Sequence, residues 1–238
     1  MLERNTVKIL TFNMCLVPVC FEPLISAPYQ AQRMQEFVLH YLQDYDILCL
    51  QECIGLLWEV KDRFLSACKR AGFFYKADPS RPKFFTQSEV CEGGVIILSR
   101  FEIDSWEFMP FSYSVDGEGQ SVIGVVQARI KVPAVIKEHK PSNFRYLNIF
   151  NVHTQSSSSY SDPYILIESL KCRQIQIEEL SDFVDLKTKE SNPLTELVLI
   201  CGDFNVNGLP ESLDVQNMIL MAHPDNSVYL DAASQEYS

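Results

Sequence analysis

The chain has 238 residues, 47% of them hydrophobic, with 31 acidic against 20 basic side chains and a formal net charge of −11. That size and apolar content suffice for one sizeable core and exclude a disordered chain. The acidic balance, with no run of Lys and Arg interleaved with aromatics, argues against a strong generic affinity for nucleic acid or anionic membrane.

In chain order, Val7–Phe12 reads as a strand that ends on Asn13. A loop with Pro18 and Pro23 follows, carrying Cys15 and Cys20. Pro28 can open a helix, on which Met34, Phe37, Val38, Tyr41 and Leu42 fall on one core-facing side. The apolar run Ile47–Leu50 is a strand ending on Gln51-Glu52. A second helix runs through Leu57, Val60, Phe64, Leu65 and Cys68, with Gly72 as its C-cap. Gly94–Ser99 and Val122–Ile130 are strands, and Tyr146–Val152 is a strand ending on His153-Thr154-Gln155. Ser156–Ser159 is a polar loop beside His153. A third helix carries Leu170, Ile177, Leu180 and Val184 on its core side, a strand over Leu197–Cys201 runs into Gly202-Asp203-Phe204-Asn205, and Leu213–Met221 is a short helix. No internal repeat or linker interrupts this alternation, which implies a single domain over 1–238.

The informative pattern is what stands at the strand ends. Asn13, Glu52, His153 and the pair Asp203/Asn205 each close an apolar run with a group that binds metal or phosphate. Residues i and i+2 of an extended segment project to one side, so Asp203 and Asn205 aim at one point beyond their strand. Gly202 lets the backbone turn sharply or come close to a ligand. Each residue has a plainer explanation: Asn13 as a turn former, Glu52 as an acidic residue favoured at a helix start, His153 as a satisfied strand-end histidine, Gly-Asp-Phe-Asn as strand-to-turn punctuation. Four such ends delivering complementary groups to one sheet edge make a site instead.

Thr11-Phe12-Asn13, Leu50-Gln51-Glu52, Asn151-Val152-His153-Thr154 and Gly202-Asp203-Phe204-Asn205, in that order, resemble the endonuclease/exonuclease/phosphatase superfamily from about Val7 to Asp231. Within it the chain is most similar to the neutral sphingomyelinase branch. The Pro18 segment, Gln32-Arg33-Met34, Gly93-Gly94-Val95 with Ser99-Arg100-Phe101, and Arg173-Gln174 carry that likeness. The resemblance implies an α/β fold, a four-layer sandwich of two mixed β-sheets packed face to face with helices outside, here lacking its last C-terminal strands.

Water must be driven at phosphorus while charge builds on the leaving oxygen, and Mg²⁺ held by one or two carboxylates suits that task. Glu52 is the metal ligand on chemistry and on resemblance. The resemblance further implies that Asn13 supports the metal or orients Glu52, with Mn²⁺ as a substitute for Mg²⁺. It implies that His153 hydrogen-bonds a phosphoryl oxygen, Asp203 orients the attacking water or assists the leaving group, and Asn205 donates its amide to a phosphoryl oxygen. The expected reaction is cleavage of sphingomyelin to ceramide and phosphocholine by a chain peripheral to a phospholipid surface.

Two departures stand against this. The superfamily's terminal Asp–His base motif is absent, since His40, His139 and His223 lack its neighbours. Truncation after Ser238 is the favoured explanation and predicts a poorly active or unstable chain. Branch members carry an Asp and then a Lys before the strand matching Val122–Ile130. Here Asp116 is present as a further substrate-binding candidate, but Gln120-Ser121 replaces the lysine. A metal-dependent nuclease, a phosphoinositide phosphatase and an inactive phosphate-binding module are the competing readings. The aromatics Phe73-Phe74-Tyr75, Phe84-Phe85 and Trp106, Phe108, Phe111, Tyr113 either dip into a lipid interface or belong to the sheet-face core. Cysteines without zinc or secreted spacing, no signal peptide and no apolar run near ~18 residues place the chain in the cytoplasm.

Overall fold

A computed structural model describes residues 6–16, 29–54, 59–79, 91–92, 94–115, 121–133, 136–137, 140–141, 145–156 and 163–206. In chain order these form β1 (Ile9–Leu16), α1 (Gln30–His40), β2 (Ile47–Cys53), α2 (Glu59–Arg70), β3 (Tyr75–Ala77), β4 (Cys91–Glu92), β5 (Ile96–Ser99), β6 (Ile103–Pro110), β7 (Ser121–Val122), β8 (Gly124–Lys131), β9 (Ile136–Lys137), β10 (Lys140–Pro141), β11 (Tyr146–His153), α3 (Pro163–Thr188) and β12 (Glu196–Asp203). The chain divides into two compact units, Met1–Phe204 and Asn205–Ser238. These elements all lie in the first unit.

Two four-stranded sheets dominate, ordered β1-β2-β5-β3 and β12-β11-β8-β6. Both are mixed: β1 pairs parallel with β2, and β12 parallel with β11, while the inner neighbours run antiparallel. Side-chain alternation along the central strands sorts the core into layers. Ile47 and Cys49 of β2 face Val126, Ala128, Ile130, Leu147 and Ile149 of the other sheet. Leu48 and Leu50, on the opposite side of the same strand, pack beneath Met34, Phe37, Phe64 and Cys68 of α1 and α2. Beyond the second sheet, Val125, Phe150 and Val152 meet Leu180 and Phe183 of α3. The result is the expected four-layer sandwich. A strand apolar on both faces, such as β2, is what a sheet covered on both sides requires. Complete burial of side chains such as Phe64 and Phe150 stabilises by about 1.5–3 kcal/mol each.

Several expectations are corrected. Tyr41 is exposed, because α1 ends at His40 and the chain leaves helical phase; Leu42 N–H bonds to Phe37 O and carries Leu42 into the core in its place. His40 is thus the last residue of α1, not a mid-helix one, and Cys15 lies in β1, not in a loop. Leu170 is exposed, on the first half of α3. Of the aromatics, Phe108 and Phe111 pack against core clusters and Phe73 is buried, whereas Phe74, Trp106 and Tyr113 are exposed. The strand β6 escapes sequence reading because it is an edge strand with four successive exposed residues. Pro28, Phe84-Phe85, Asp116, Leu213–Met221, His139 and His223 lie outside the described residues. Among the described residues no helix is long and apolar enough to cross a membrane.

Gly202 has φ 142°, and a Cβ there would sit 2.0 Å from Val152 O of the neighbouring strand. The glycine therefore serves a close approach of β12 to β11, not of a ligand to β12. Gly202→Ala is expected to lower stability by about 3 kcal/mol, from backbone clash plus an unfavourable φ. The midpoint shift in urea measures it.

Candidate functional site

The register sets four side chains at one end of the two sheets. Asn13 of β1 pairs with Gln51, the residue before Glu52, and His153 of β11 pairs with Asp203 of β12. Glu52 departs from regular strand geometry, with φ 49°. Alternation would carry it to the side of Leu48 and Leu50, under the helices. Instead Cys53 joins that cluster, so the pleat is reversed between residues 50 and 53. Gly94 holds the distortion: its carbonyl accepts from Cys53 N–H at 3.0 Å, and a Cβ on Gly94 would lie 2.5 Å from Cys53 N. An observed left-handed residue of this kind is a mark of a functional position.

Asn13 is pinned so that it can only donate to the site. Its Oδ1 accepts from Cys15 N–H at 2.9 Å, and Cys15 itself has φ 48°. Its Nδ2 then donates to Glu52 Oε1 at 2.8 Å and to Asp203 Oδ2 at 2.9 Å. From α1, Arg33 donates to Met14 O at 2.8 Å and Cys15 O at 2.9 Å, holding that turn. His153 is 7% exposed, with Nε2 3.7 Å from Glu52 Oε1. Its buried Nδ1 has no hydrogen-bond partner among the described residues. Thr154 N–H donates to Asp203 O at 3.0 Å, continuing the parallel pairing past the strand.

One ligand atom each of Glu52, His153 and Asp203 lies within 4.8 Å of the others. Two carboxylates that share one neutral amide, with His153 Nε2 3.7 Å from one of them, form an oxygen-rich donor set suited to a hard divalent cation. The residues present thus fit such an ion. Asn13 turns its N–H toward the cluster, bridging Glu52 and Asp203, while its oxygen is taken by Cys15 N–H. The negative field reaches Cys15, whose thiol is pushed up by burial first and by the charge of Glu52 second.

Asn205 opens the second unit, with φ 50°. The strand ends at Asp203, so the extended i, i+2 alternation on which its placement rested stops short of it. Asp116 lies outside the described residues.

Beneath the site is a polar layer that sequence reading missed. Gln51 Nε2 donates to Asn151 Oδ1 at 2.6 Å, and also approaches Thr11 Oγ1 and Cys49 O, each at 3.1 Å. Asn151 Nδ2 donates to Leu50 O at 3.0 Å and Ile96 O at 2.9 Å. Both side chains are buried, and each crosses from one sheet to the other. The signal was present as two carboxamides at positions where the β2 and β11 patterns call for apolar residues. After His153, Gln155 bonds Gln176 and Arg173 of α3 and residue Val115, fixing the exit of β11.

The model of the endonuclease/exonuclease/phosphatase family matches residues 10–215. A sphingomyelinase of Dictyostelium discoideum is 27% identical over 196 residues, 77% of this chain and 41% of its own length. A sphingomyelinase C of Leptospira interrogans is 25% identical over 238 residues, 96% of this chain and 39% of its own. The chain thus spans about two fifths of the length of these relatives. A crystal structure of a double mutant of the Staphylococcus aureus beta toxin with bound magnesium ions is similar at a TM-score of 0.68, with 23% identity over 90% of this chain and 69% of that one. At that identity the likeness concerns the fold.

Asn151→Leu is expected to destabilise by about 2–4 kcal/mol, because it strands Gln51 and two carbonyls without partners. Paired with Gln51→Leu it is expected to cost less than the sum of the single changes. A double-mutant cycle in urea checks both.

Proposed function

The chain belongs to the endonuclease/exonuclease/phosphatase family, and from that membership and the geometry of its strand-end cluster we propose that it is a metal-dependent phosphodiesterase whose substrate is sphingomyelin. The observation that carries this reading is the single amide of Asn13 shared by Glu52 and Asp203 beside His153. The sphingomyelinase relatives support the choice of substrate and products, ceramide and phosphocholine.

Glu52 is the carboxylate that holds Mg²⁺, for which Mn²⁺ can substitute, with Asp203 and His153 close enough to complete or flank its shell. When bound, the cation neutralises the charge that builds on the phosphoryl and leaving oxygens. Asn13 holds Glu52 and Asp203 at fixed spacing, so neither must reorganise when substrate arrives. Asp203 accepts a hydrogen bond from the attacking water or assists the departing alcohol. His153 hydrogen-bonds a phosphoryl oxygen as charge builds on the phosphate. Asn205 donates its amide to a second phosphoryl oxygen, and Asp116 contacts the headgroup.

Phosphocholine release from sphingomyelin vesicles by the full-length protein is expected with Mg²⁺ and is abolished by EDTA. Glu52→Gln and Asp203→Asn are each expected to lower kcat by about 100-fold or more, with folding unchanged by circular dichroism. Nicking of supercoiled DNA with the same dependences, and no phosphocholine, would move the chain to the nuclease reading. Silence on both, with cation binding intact, would make it a phosphate-binding module.

A further inference from the structure

Helix α3 is two helices in character. Its second half lies on the outer sheet, with Leu180 and Phe183 against Phe150 and Val152. Its middle is level with the end of β11, where Gln155 N–H donates to Gln176 Oε1 at 2.8 Å and Arg173 donates to Gln155 O at 3.1 Å. The turns before Arg173 therefore run past the sheet at the end where Glu52, His153 and Asp203 gather. From Pro163 to Cys172 the overhang is about 15 Å.

Along this overhang and the turn after it, an apolar face stands exposed among the described residues. Tyr164, Ile167, Lys171 and Ile175 follow one another at helical spacing. Tyr164 is 70% exposed, Ile167 51% and Ile175 39%. Lys171 is neutralised by Glu168 at 2.8 Å. Exposed Tyr113 sits beside them, its carbonyl accepting from Cys172 Sγ and Gln176 Nε2. Continuing along the same face, the next residues are Glu178 and Asp182, so the face turns acidic where the helix reaches the sheet. Of the other exposed aromatics, Tyr75 is level with Ile47 at the far end of its sheet and Trp106 pairs with Ala128 in mid-strand, while Phe12 stands one residue before Asn13 on β1.

We infer that the exposed face of the first turns of α3, with Tyr113, is the surface by which the chain docks on a zwitterionic phospholipid bilayer, presenting the cleft to its headgroups. Aromatic and aliphatic side chains on a charge-neutral helical face suit insertion at the headgroup boundary. The acidic continuation and the net charge of −11 repel an anionic bilayer, which selects the zwitterionic one. The inference rests on the reading of the substrate as a lipid phosphodiester.

The test compares Ile167→Glu and Ile175→Glu with Leu186→Glu, an exposed position on the half that lies on the sheet. Co-sedimentation with phosphatidylcholine/sphingomyelin vesicles is read beside hydrolysis of soluble bis(4-nitrophenyl) phosphate, thermal melting and sedimentation velocity. The Ile167→Glu and Ile175→Glu variants are expected to lose vesicle binding by about tenfold each. They keep their soluble turnover and melting temperature, and Leu186→Glu binds like the parent. Unchanged binding, equal loss in Leu186→Glu, no binding by the parent chain, or a parent dimer that Ile167→Glu dissociates would each overturn the proposal, the last assigning the face to a second copy. Binding needs no turnover, so a failure of the hydrolytic reading shows separately, as a silent cleft on a chain that still binds vesicles through α3.

Discussion

The buried contact between Gln51 and Asn151 is the constraint on which the site depends. Most of what holds the two sheets together is apolar, Ile47, Cys49 and Ile97 against Val126, Ala128 and Ile149, and apolar attraction has no direction. It fixes that the sheets meet, not where one strand lies along the other. The carboxamides supply that. Asn151 reads the carbonyls of Leu50 and Ile96 on adjacent strands, and Gln51 reads Asn151 in return. Hydrogen bonds in a low-dielectric interior are costly to misplace. Glu52 is the next residue after one partner and His153 the second after the other, so their separation follows from this layer.

Above that layer the protein concentrates charge and distortion together. Glu52 and Cys15 both hold left-handed backbone, a conformation costing about 1–2 kcal/mol for a residue with a Cβ. Each distortion is held by neighbours that leave little alternative: Gly94 against Cys53, and Arg33 and Asn13 on the turn at Cys15. The return is a carboxylate pair already aligned on one amide. Such a pair is poorly placed by itself and suited to a cation, which is the sense in which the arrangement is preorganised.

The sequence made the architecture legible because strand ends are informative where strands are buried on both faces. Apolar runs at Ile47–Leu50 and Tyr146–Val152 can belong only to covered sheets, and the polar residue at which each stops is conspicuous. Three kinds of feature stayed hidden. Gly202 suggested a ligand, when what crowds it is Val152 of the adjacent strand, because a glycine does not say what approaches it. Gln51 and Asn151 looked like parts of a motif, and only the pairing of two sheets shows that they bond one another. Tyr41 fitted a helical stripe that the chain leaves at His40, and Leu170 carried the right periodicity and the wrong surroundings: a helical stripe faces a core only where another layer exists to cover it.

The amide of Asn13 and the carboxylate of Asp203 lie 190 residues apart in sequence. A second cross-sheet bond, between Gln51 and Asn151, already spans 100. Loop closures of that span are made late and slowly, after local helices and hairpins have formed. During synthesis the first two site residues wait, with the inner face of their sheet uncovered, until the β11 and β12 segments have emerged. The cluster is therefore among the last things to exist, because no folding intermediate short of both docked sheets brings Asn13, Glu52, His153 and Asp203 together.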